Sequence, residues 1–255
     1  MKLYSAAIVL NKKKKWAKEL ARELEAILKE NKIELLSPSK SQIIIAIGGD
    51  GTILYHKFRY HQPFFAIGSD SSFICNAHHK DWKGHIHKLI KNGFWVEQRT
   101  MLSSWLDSKA LPDALNEVVI RNREHRILNL RLFVGRKKYV FQADGLLFSS
   151  ATGSTSYAYS CGGQEMLHMS KKYQIVAIAP YRRLFAPLIV SPSTSCELHV
   201  DSTCKADAVI DGQIEVPVKR KCTLIVKVSP RKFLFVREKQ EVREKNKTEN
   251  MQSRH

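Results

Sequence analysis

Three short blocks of this sequence combine residue types that can do chemistry at close quarters. The first is Gly48-Gly49-Asp50-Gly51-Thr52, directly behind the apolar run Ile43–Ile47. Glycines let backbone N–H groups approach a diphosphate with no Cβ in the way, and the start of a following helix would add positive dipole. Gly49 and Gly51 are the positions expected to cradle phosphate. A carboxylate in such a cradle repels its ligand unless it faces a hydroxyl, a metal ion or a proton to be removed. Asp50 is therefore the candidate catalytic residue, a general base that activates a sugar hydroxyl for attack on a phosphoryl group. The plainer alternative is a tight turn with Thr52 capping the next helix.

The second block is Asn116-Glu117, opening a strand within Ala114-Leu115-Asn116-Glu117-Val118-Val119-Ile120. An amide beside a carboxylate can read a purine edge and a ribose hydroxyl together. The third runs from Asp144-Gly145 through Phe148-Ser149-Ser150 to Thr152-Gly153-Ser154-Thr155-Ser156-Tyr157. A strand ending in a loop dense in hydroxyls, bracketed by aromatics, supplies donors, acceptors and a ring to line a base pocket. Taken singly, these are also what an edge strand and a serine-rich surface loop look like.

The elements that must position these blocks follow from periodicity. Residues 3–10 read as a strand, and residues 12–30 as a helix with Trp16, Leu20, Leu24, Ile27 and Leu28 on one face. A short strand at 33–36 stops at Ser37-Pro38, and Ile43–Ile47 is apolar throughout, as in a strand covered on both sides. A helix carrying Ile53, Leu54 and Phe58, a strand at 64–67 and a helix with Trp82, Ile86, Leu89 and Ile90 complete an alternating pattern, which predicts a parallel α/β sheet. Beyond residue 95 the pattern is of strands, at 95–102, 114–121, 127–134, 139–149, 175–179, 188–190, 196–200, 208–210, 223–228 and 233–236, without a long helix. The expected organisation is an α/β domain over residues 1–95, a β-rich nucleotide-binding domain over 96–225, a strand at 226–236, and a disordered basic tail from 237 to 255.

Composition narrows the class. The chain has 255 residues, 44% hydrophobic and 26% charged, ordinary for a globular protein and enough for one large domain or two modest ones. The longest unbroken apolar runs are far below the roughly 20 residues a bilayer span needs, and the lysines follow the first strand where a signal peptide would precede it. A soluble, cytoplasmic protein with no membrane role is expected. The net charge of +18 favours polyanions, either nucleic acid or small phosphorylated ligands, and charge alone is too little to propose a nucleic-acid partner. Five cysteines without a paired spacing read as reduced, mostly buried thiols. His78, His79, His85 and His87 are interleaved with lysines and match no zinc spacing, so no metal ligand is assigned. The run Lys12-Lys13-Lys14-Lys15 reads as the exposed start of a helix. Neither GxGxxG after a strand, GxxxxGK[ST] nor GxSxG is present.

In this order and spacing, the three blocks resemble the NAD kinase family. Its pattern is a Gly-Gly-Asp-Gly-Thr loop, an Asn-Glu pair, and Asp-Gly followed by a Thr-Gly-Ser-Thr-Ala-Tyr-like loop closing in Gly-Gly. Here the last loop closes with Gly162-Gly163, and Asp211-Gly212-Gln213 is a fourth match, so the resemblance covers residues 1–236. It implies an N-terminal parallel α/β domain and a C-terminal β-sandwich-like domain, with the strand at 226–236 returning to the N-terminal domain. The implied activity is phosphorylation of the 2′-hydroxyl of the adenosine ribose of NAD to give NADP, with ATP or polyphosphate as donor and Mg²⁺ on the donor phosphates. A homodimer or homotetramer with sites near subunit boundaries is implied as well. Carried onto this chain, the pattern puts Asn116, Thr152, Thr155 and Tyr157 around adenine, and Glu117 and Asp144 at ribose or nicotinamide groups. It adds Gln142, Ser156, Ala158, Ser160, Asp211 and Gln213 as substrate-binding residues. The sequence departs from the family at residues 68–75, which read Gly-Ser-Asp-Ser-Ser-Phe-Ile-Cys in place of a loop ending Leu-Gly-Phe-Leu, and at Gln142, where some bacterial members carry arginine. A non-catalytic NAD/NADP-binding sensor of the same fold and a lipid or sphingoid-base kinase are the alternatives. The Gly-Thr-Gly-Asn-Asp stretch of such lipid kinases has no counterpart here.

Overall fold

The computed structural model describes residues 1–124, 126–201 and 204–239. The first half contains β1 (Ser5–Leu10), α1 (Lys15–Glu30), β2 (Glu34–Leu35), β3 (Ile43–Ile47), α2 (Asp50–His56), β4 (Phe64–Gly68), β5 (Ala77–His78) and α3 (Trp82–Asn92). These five strands pair in parallel, in the order β2, β1, β3, β4, β5. β3 shows why its sequence is apolar without interruption. Ile43, Ile45 and Ile47 pack with Leu20, Leu24 and Leu28 of α1 and Ile86 and Leu89 of α3 on one face. Ile44 and Ala46 pack with Ile53 and Leu54 of α2 on the other. The first helix starts later than its lysines suggest: Lys14 is its cap in extended geometry, so Lys12, Lys13 and Lys14 belong to the turn before it.

The second half contains β6 (Phe94–Leu106), β7 (Lys109–Ala114), β8 (Glu117–Asn122), β9 (Leu128–Val134), β10 (Lys137–Ala143), β11 (Gly145–Ser150), a 3₁₀ turn (Thr152–Thr155) and α4 (Tyr157–Ser160). It continues through β12 (Tyr173–Ile178), a second 3₁₀ turn (Tyr181–Arg183), β13 (Leu188–Val190), β14 (Cys196–Asp201), β15 (Ala206–Ile210), β16 (Ile214–Val218) and β17 (Lys221–Glu238). Six strands form an antiparallel sheet in the order β13, β12, β11, β8, β15, β16. The others extend the parallel strands into an eleven-stranded sheet, along β10, β9, β14, β17 and then β4, with β6 beside β17 and β7 beside β6. Leu130, Leu132, Leu198 and Leu224 of the larger sheet meet Val118, Ile120, Phe148 and Ile175 of the smaller in one core, a sandwich. The fold is thus a parallel α/β layer joined to a β-sandwich, as expected.

Several expected strands have different limits. Residues 139–149 are two strands, because Asp144 is where the chain leaves the larger sheet on β10 and enters the smaller on β11. The expected strands at 223–228 and 233–236 are both parts of β17, whose pairing with β6 shifts register between Val228 and Lys232. Past that shift Phe235 pairs in parallel with Phe64 of β4. Arg237 and Glu238 were expected in the tail but continue the strand, since Arg237 Nε donates to Glu97 Oε2 at 2.7 Å. The rest of the expected tail, residues 240–255, lies outside the described residues. The expected division near residue 95 falls at the start of β6, and the larger sheet runs across it through β6 and β17. Among the described residues, no helix is long and apolar enough to cross a membrane.

Candidate active site

The glycine loop follows β3 at the strand's C-terminal end. Gly48 and Gly49 have φ of +148° and +113°, conformations that L side chains rarely adopt. Space excludes a side chain too: a Cβ on Gly48 would lie 2.5 Å from Thr52 Oγ1, and one on Gly49 would lie 2.9 Å from Ser72 Oγ. The loop lines a cavity of about 220 Å³ with Asn11, Lys14, Ser69 and Ser72. The expected capping role of Thr52 does not occur, because Gly49 precedes the helix and Thr52 lies inside it. The helix itself is only seven residues long, so the backbone and side chains of the loop, not a long helix dipole, define the cradle.

Asp50 lines this cradle and has a second task. Phe73 N–H donates to its Oδ2 at 2.8 Å, Ile74 N–H to its Oδ1 at 3.2 Å, and the Cys75 thiol to Oδ1 at 3.3 Å. Burial, and then the neighbouring Asp50 charge, pushes the Cys75 thiol pKa well up, so it stays a donor. Three donors on a carboxylate with about four acceptor sites leave it able to accept one more. The segment it holds walls a second cavity of about 290 Å³, shared by Phe73, Ile74, Cys75, Thr152, Thr155 and Arg99. Asp50 therefore stands between a phosphate-sized cradle and a cavity lined by the hydroxyl loop.

The Asn-Glu pair is set against that loop from behind. A Cβ on Gly153 would lie 2.4 Å from the Asn116 carbonyl oxygen, so only glycine lets the two segments touch. Ser150 N–H donates to the same carbonyl at 2.8 Å. Asn116 Oδ1, Glu117 Oε2 and Thr152 Oγ1 are buried and have no hydrogen-bond partner among the described residues, which leaves them open to a ligand. Burial, with Asp211 nearby, raises the Glu117 carboxyl pKa to about 8. Tyr157 opens α4, and burial raises its phenol pKa as well. Ser156 precedes it, Ala158 is buried under the smaller sheet, and Ser160 is exposed.

Asp211 is placed differently from the sequence expectation. Its side chain is wholly buried and both oxygens are used by the protein: Leu115, Asn116 and Glu117 donate their N–H groups at 2.9, 2.7 and 3.0 Å. Lys57 Nζ, equally buried, lies 2.9 Å from Oδ2. Asp211 thus holds the Asn-Glu turn in shape. Gln213, two residues on, reaches a third cavity of about 660 Å³ that also borders Gly51 and Thr52. Gln142 and Asp144 are exposed; Gln142 Nε2 donates to Asn129 Oδ1 at 2.7 Å, and Asn122 Nδ2 to Asp144 Oδ1 at 3.3 Å. Neither lines a cavity with Asp50 or Thr152.

Lys14, Phe73 and Arg99 belong to these cavities and carried no signal in the sequence. Lys14 was hidden in a lysine run, Phe73 in the segment that departs from the family pattern. His78 lies 2.7 Å from Asp70 Oδ1 and His85 2.6 Å from Glu238 Oε1, each on a separate partner.

Known proteins match this chain in sequence and in fold. The family described as ATP-NAD kinase C-terminal domain matches residues 115–238. The NAD kinase of Methanoregula boonei is 33% identical over 203 residues, covering 77% of this chain and 75% of its own. That of Methanoculleus marisnigri is 30% identical over 239 residues, covering 87% and 88%. Among solved structures, an NAD kinase from Archaeoglobus fulgidus in complex with ATP superposes with a TM-score of 0.79 at 24% identity, over 92% of this chain and 94% of that one. Yeast NADH kinase complexed with NADH gives 0.80 at 17% identity, over 94% and 84%.

Proposed function

The chain belongs to the NAD kinase family and is by homology a phosphotransferase, and on that premise we propose that Asp50 is its general base. In this reading the donor's terminal phosphate lies in the cradle at residues 48–52 and the adenosine ribose of NAD enters from the second cavity. Asp50 accepts the proton of the 2′-hydroxyl as its oxygen bonds to phosphorus. The bond from phosphorus to the bridging oxygen breaks, and the leaving phosphate chain keeps the electron pair. The observation that supports this most is the position of Asp50, whose carboxylate lines one cavity while holding the wall of the other.

Asn116, Glu117 and Thr152 offer unpartnered polar atoms to the nucleotide, Thr155 and Phe73 line the same cavity as Thr152, and the Phe73 ring is available for stacking. ATP or polyphosphate serves as donor, and the ATP held by the Archaeoglobus relative favours ATP. The described residues contain no cluster of three or more potential metal ligands, and Asp50 is the lone carboxylate among those lining the cradle. That donor set fits a Mg²⁺ held by donor phosphates and water, which would leave Asp50 free to take the hydroxyl proton. When bound, the ion supplies neutralisation of charge on the transferring phosphate.

Asp50→Asn is nearly isosteric and tests the assignment. It should retain NAD binding and lose at least about a hundredfold in NADP formation, since positioned acid–base groups contribute 10²–10⁴-fold. Turnover within about threefold of wild type would remove Asp50 from this role. Wild-type protein that binds NAD and makes no NADP would shift the reading to a nucleotide sensor.

A further inference from the structure

The lysines after β1 do not decorate the outside of a helix. Lys12 and Lys13 line the 660 Å³ cavity together with Tyr55, His56, Arg59 and Gln213. That cavity shares Asn11, Gly51 and Thr52 with the 220 Å³ cradle, so the two adjoin and together make a trough. Lys14 stands at the cradle end, its Nζ donating to Gly48 O at 2.6 Å and to Ser69 Oγ at 3.5 Å. Both acceptors are neutral, which leaves the ammonium charge unmatched by either. Arg59 is braced at the other end: its guanidinium lies 4.8 Å from the centre of the Tyr55 ring and donates to the Tyr55 hydroxyl at 2.9 Å. The residues lining the trough include Lys12, Lys13, Lys14 and Arg59, and Asp50 is their lone acid.

We propose that these four cations bind the polyphosphate chain of the phosphoryl donor, Lys14 at the transferred phosphate and Lys12, Lys13 and Arg59 along the part that leaves. The proposal rests on the reading of the cradle as the donor site. Ammonium groups meet phosphate oxygens as compact charges, and a braced guanidinium offers a two-pronged contact. Their placement suits the reaction, because negative charge grows on the leaving phosphates as the bridging bond breaks. Recognition through the chain would let one trough accept either a nucleoside triphosphate or inorganic polyphosphate.

Two measurements test this separately. Tripolyphosphate binding is read by calorimetry, and NADP formation is read with ATP in one arm and long-chain polyphosphate in the other. The exposed pair K12A/K13A should weaken tripolyphosphate binding about tenfold and raise the donor KM similarly, with the NAD KM moving less than about twofold. Lys14→Met should lower kcat/KM for the donor at least about a hundredfold, with Lys14→Arg restoring part of it. A loss seen with one donor only identifies the donor that the trough serves. Unchanged tripolyphosphate affinity in K12A/K13A, or a rise in the NAD KM in place of the donor KM, overturns the proposal. If wild-type protein forms no NADP from either donor while K12A/K13A still loses tripolyphosphate, the phosphate trough stands and the assigned reaction falls.

Discussion

Around residues 48–52 the polar groups are backbone amides and long cationic side chains at the rim of an open trough. Around Asn116, Glu117 and Thr152 they are side-chain atoms, buried and without partners among the described residues. The first region costs the fold little, because exposed lysines keep their solvation until a ligand arrives. The second carries a standing penalty, since each unmatched buried polar atom forgoes water. What supports it is Asp211, which ties three consecutive N–H groups of the Asn-Glu turn to Lys57 inside the protein. The contrast separates recognition by charge from recognition by shape and unmet hydrogen bonds, and substitutions should affect the two regions in different ways.

The largest effect is expected where the buried support is cut. Asp211→Ala leaves the buried Lys57 ammonium with the Asp113 carbonyl but without its carboxylate, and frees three N–H groups, so urea unfolding should show a loss of about 3–5 kcal/mol. Burial already holds the Lys57 pKa down, with the Asp211 charge working against that. A loss below about 1 kcal/mol would mean that the turn does not depend on this pair.

Glu117 offers a pH-dependent comparison. Its pKa is raised to about 8 in the folded chain from a reference of 4.5, so between these values the folded state holds a proton that the unfolded state has released. Stability should therefore be greatest at low pH in this window and fall as pH rises towards 8. From pH 6 to 8 the ceiling on this loss is about 2.7 kcal/mol. Glu117→Gln should flatten that slope, as read by melting temperature against pH without nucleotide. Identical slopes in the two proteins would show that Glu117 is ionised throughout.

A smaller effect, confined to the ligand, is expected at Asn116. Its Oδ1 has no partner among the described residues, so Asn116→Ala should leave unfolding nearly unchanged. NAD affinity should fall by about 1–3 kcal/mol, measured by calorimetry, because a base edge loses its match. Equal NAD affinity in the variant would move the base elsewhere and erase the distinction between the two regions.

Much of the architecture was legible because it depends on local pattern. The five apolar residues of β3 are all buried, and the helical spacing of Leu20, Leu24 and Leu28 marks the face that packs on them. Gly48 and Gly49 were read as positions where a Cβ would be in the way, and a Cβ at either would meet Thr52 or Ser72. What was misread depends on which segments meet. Asp144 looks like the middle of one strand and is the passage between two sheets. Asp211 looks like a ligand contact beside two turn residues, yet a φ of +50° at that position accompanies a side chain buried against the Asn-Glu turn.

The sequence by itself determined the chemistry available: a carboxylate among glycines, an amide beside an acid, and a loop of hydroxyls, each encoded within a few consecutive residues. Tertiary structure alone decided their partnership. Asp50 and Phe73 are 23 positions apart, and their hydrogen bond exists because β3 and β4 lie side by side and end together. Lys14 and Gly48 are 34 apart and meet because β1 pairs with β3, with Asn11 N–H donating to Ile47 O at 2.8 Å to carry the ladder to its end. Periodicity reports which face of an element is apolar, a property of neighbours in sequence. Which loops share a cavity is set by sheet order and register, and those are satisfied only when the whole chain has packed.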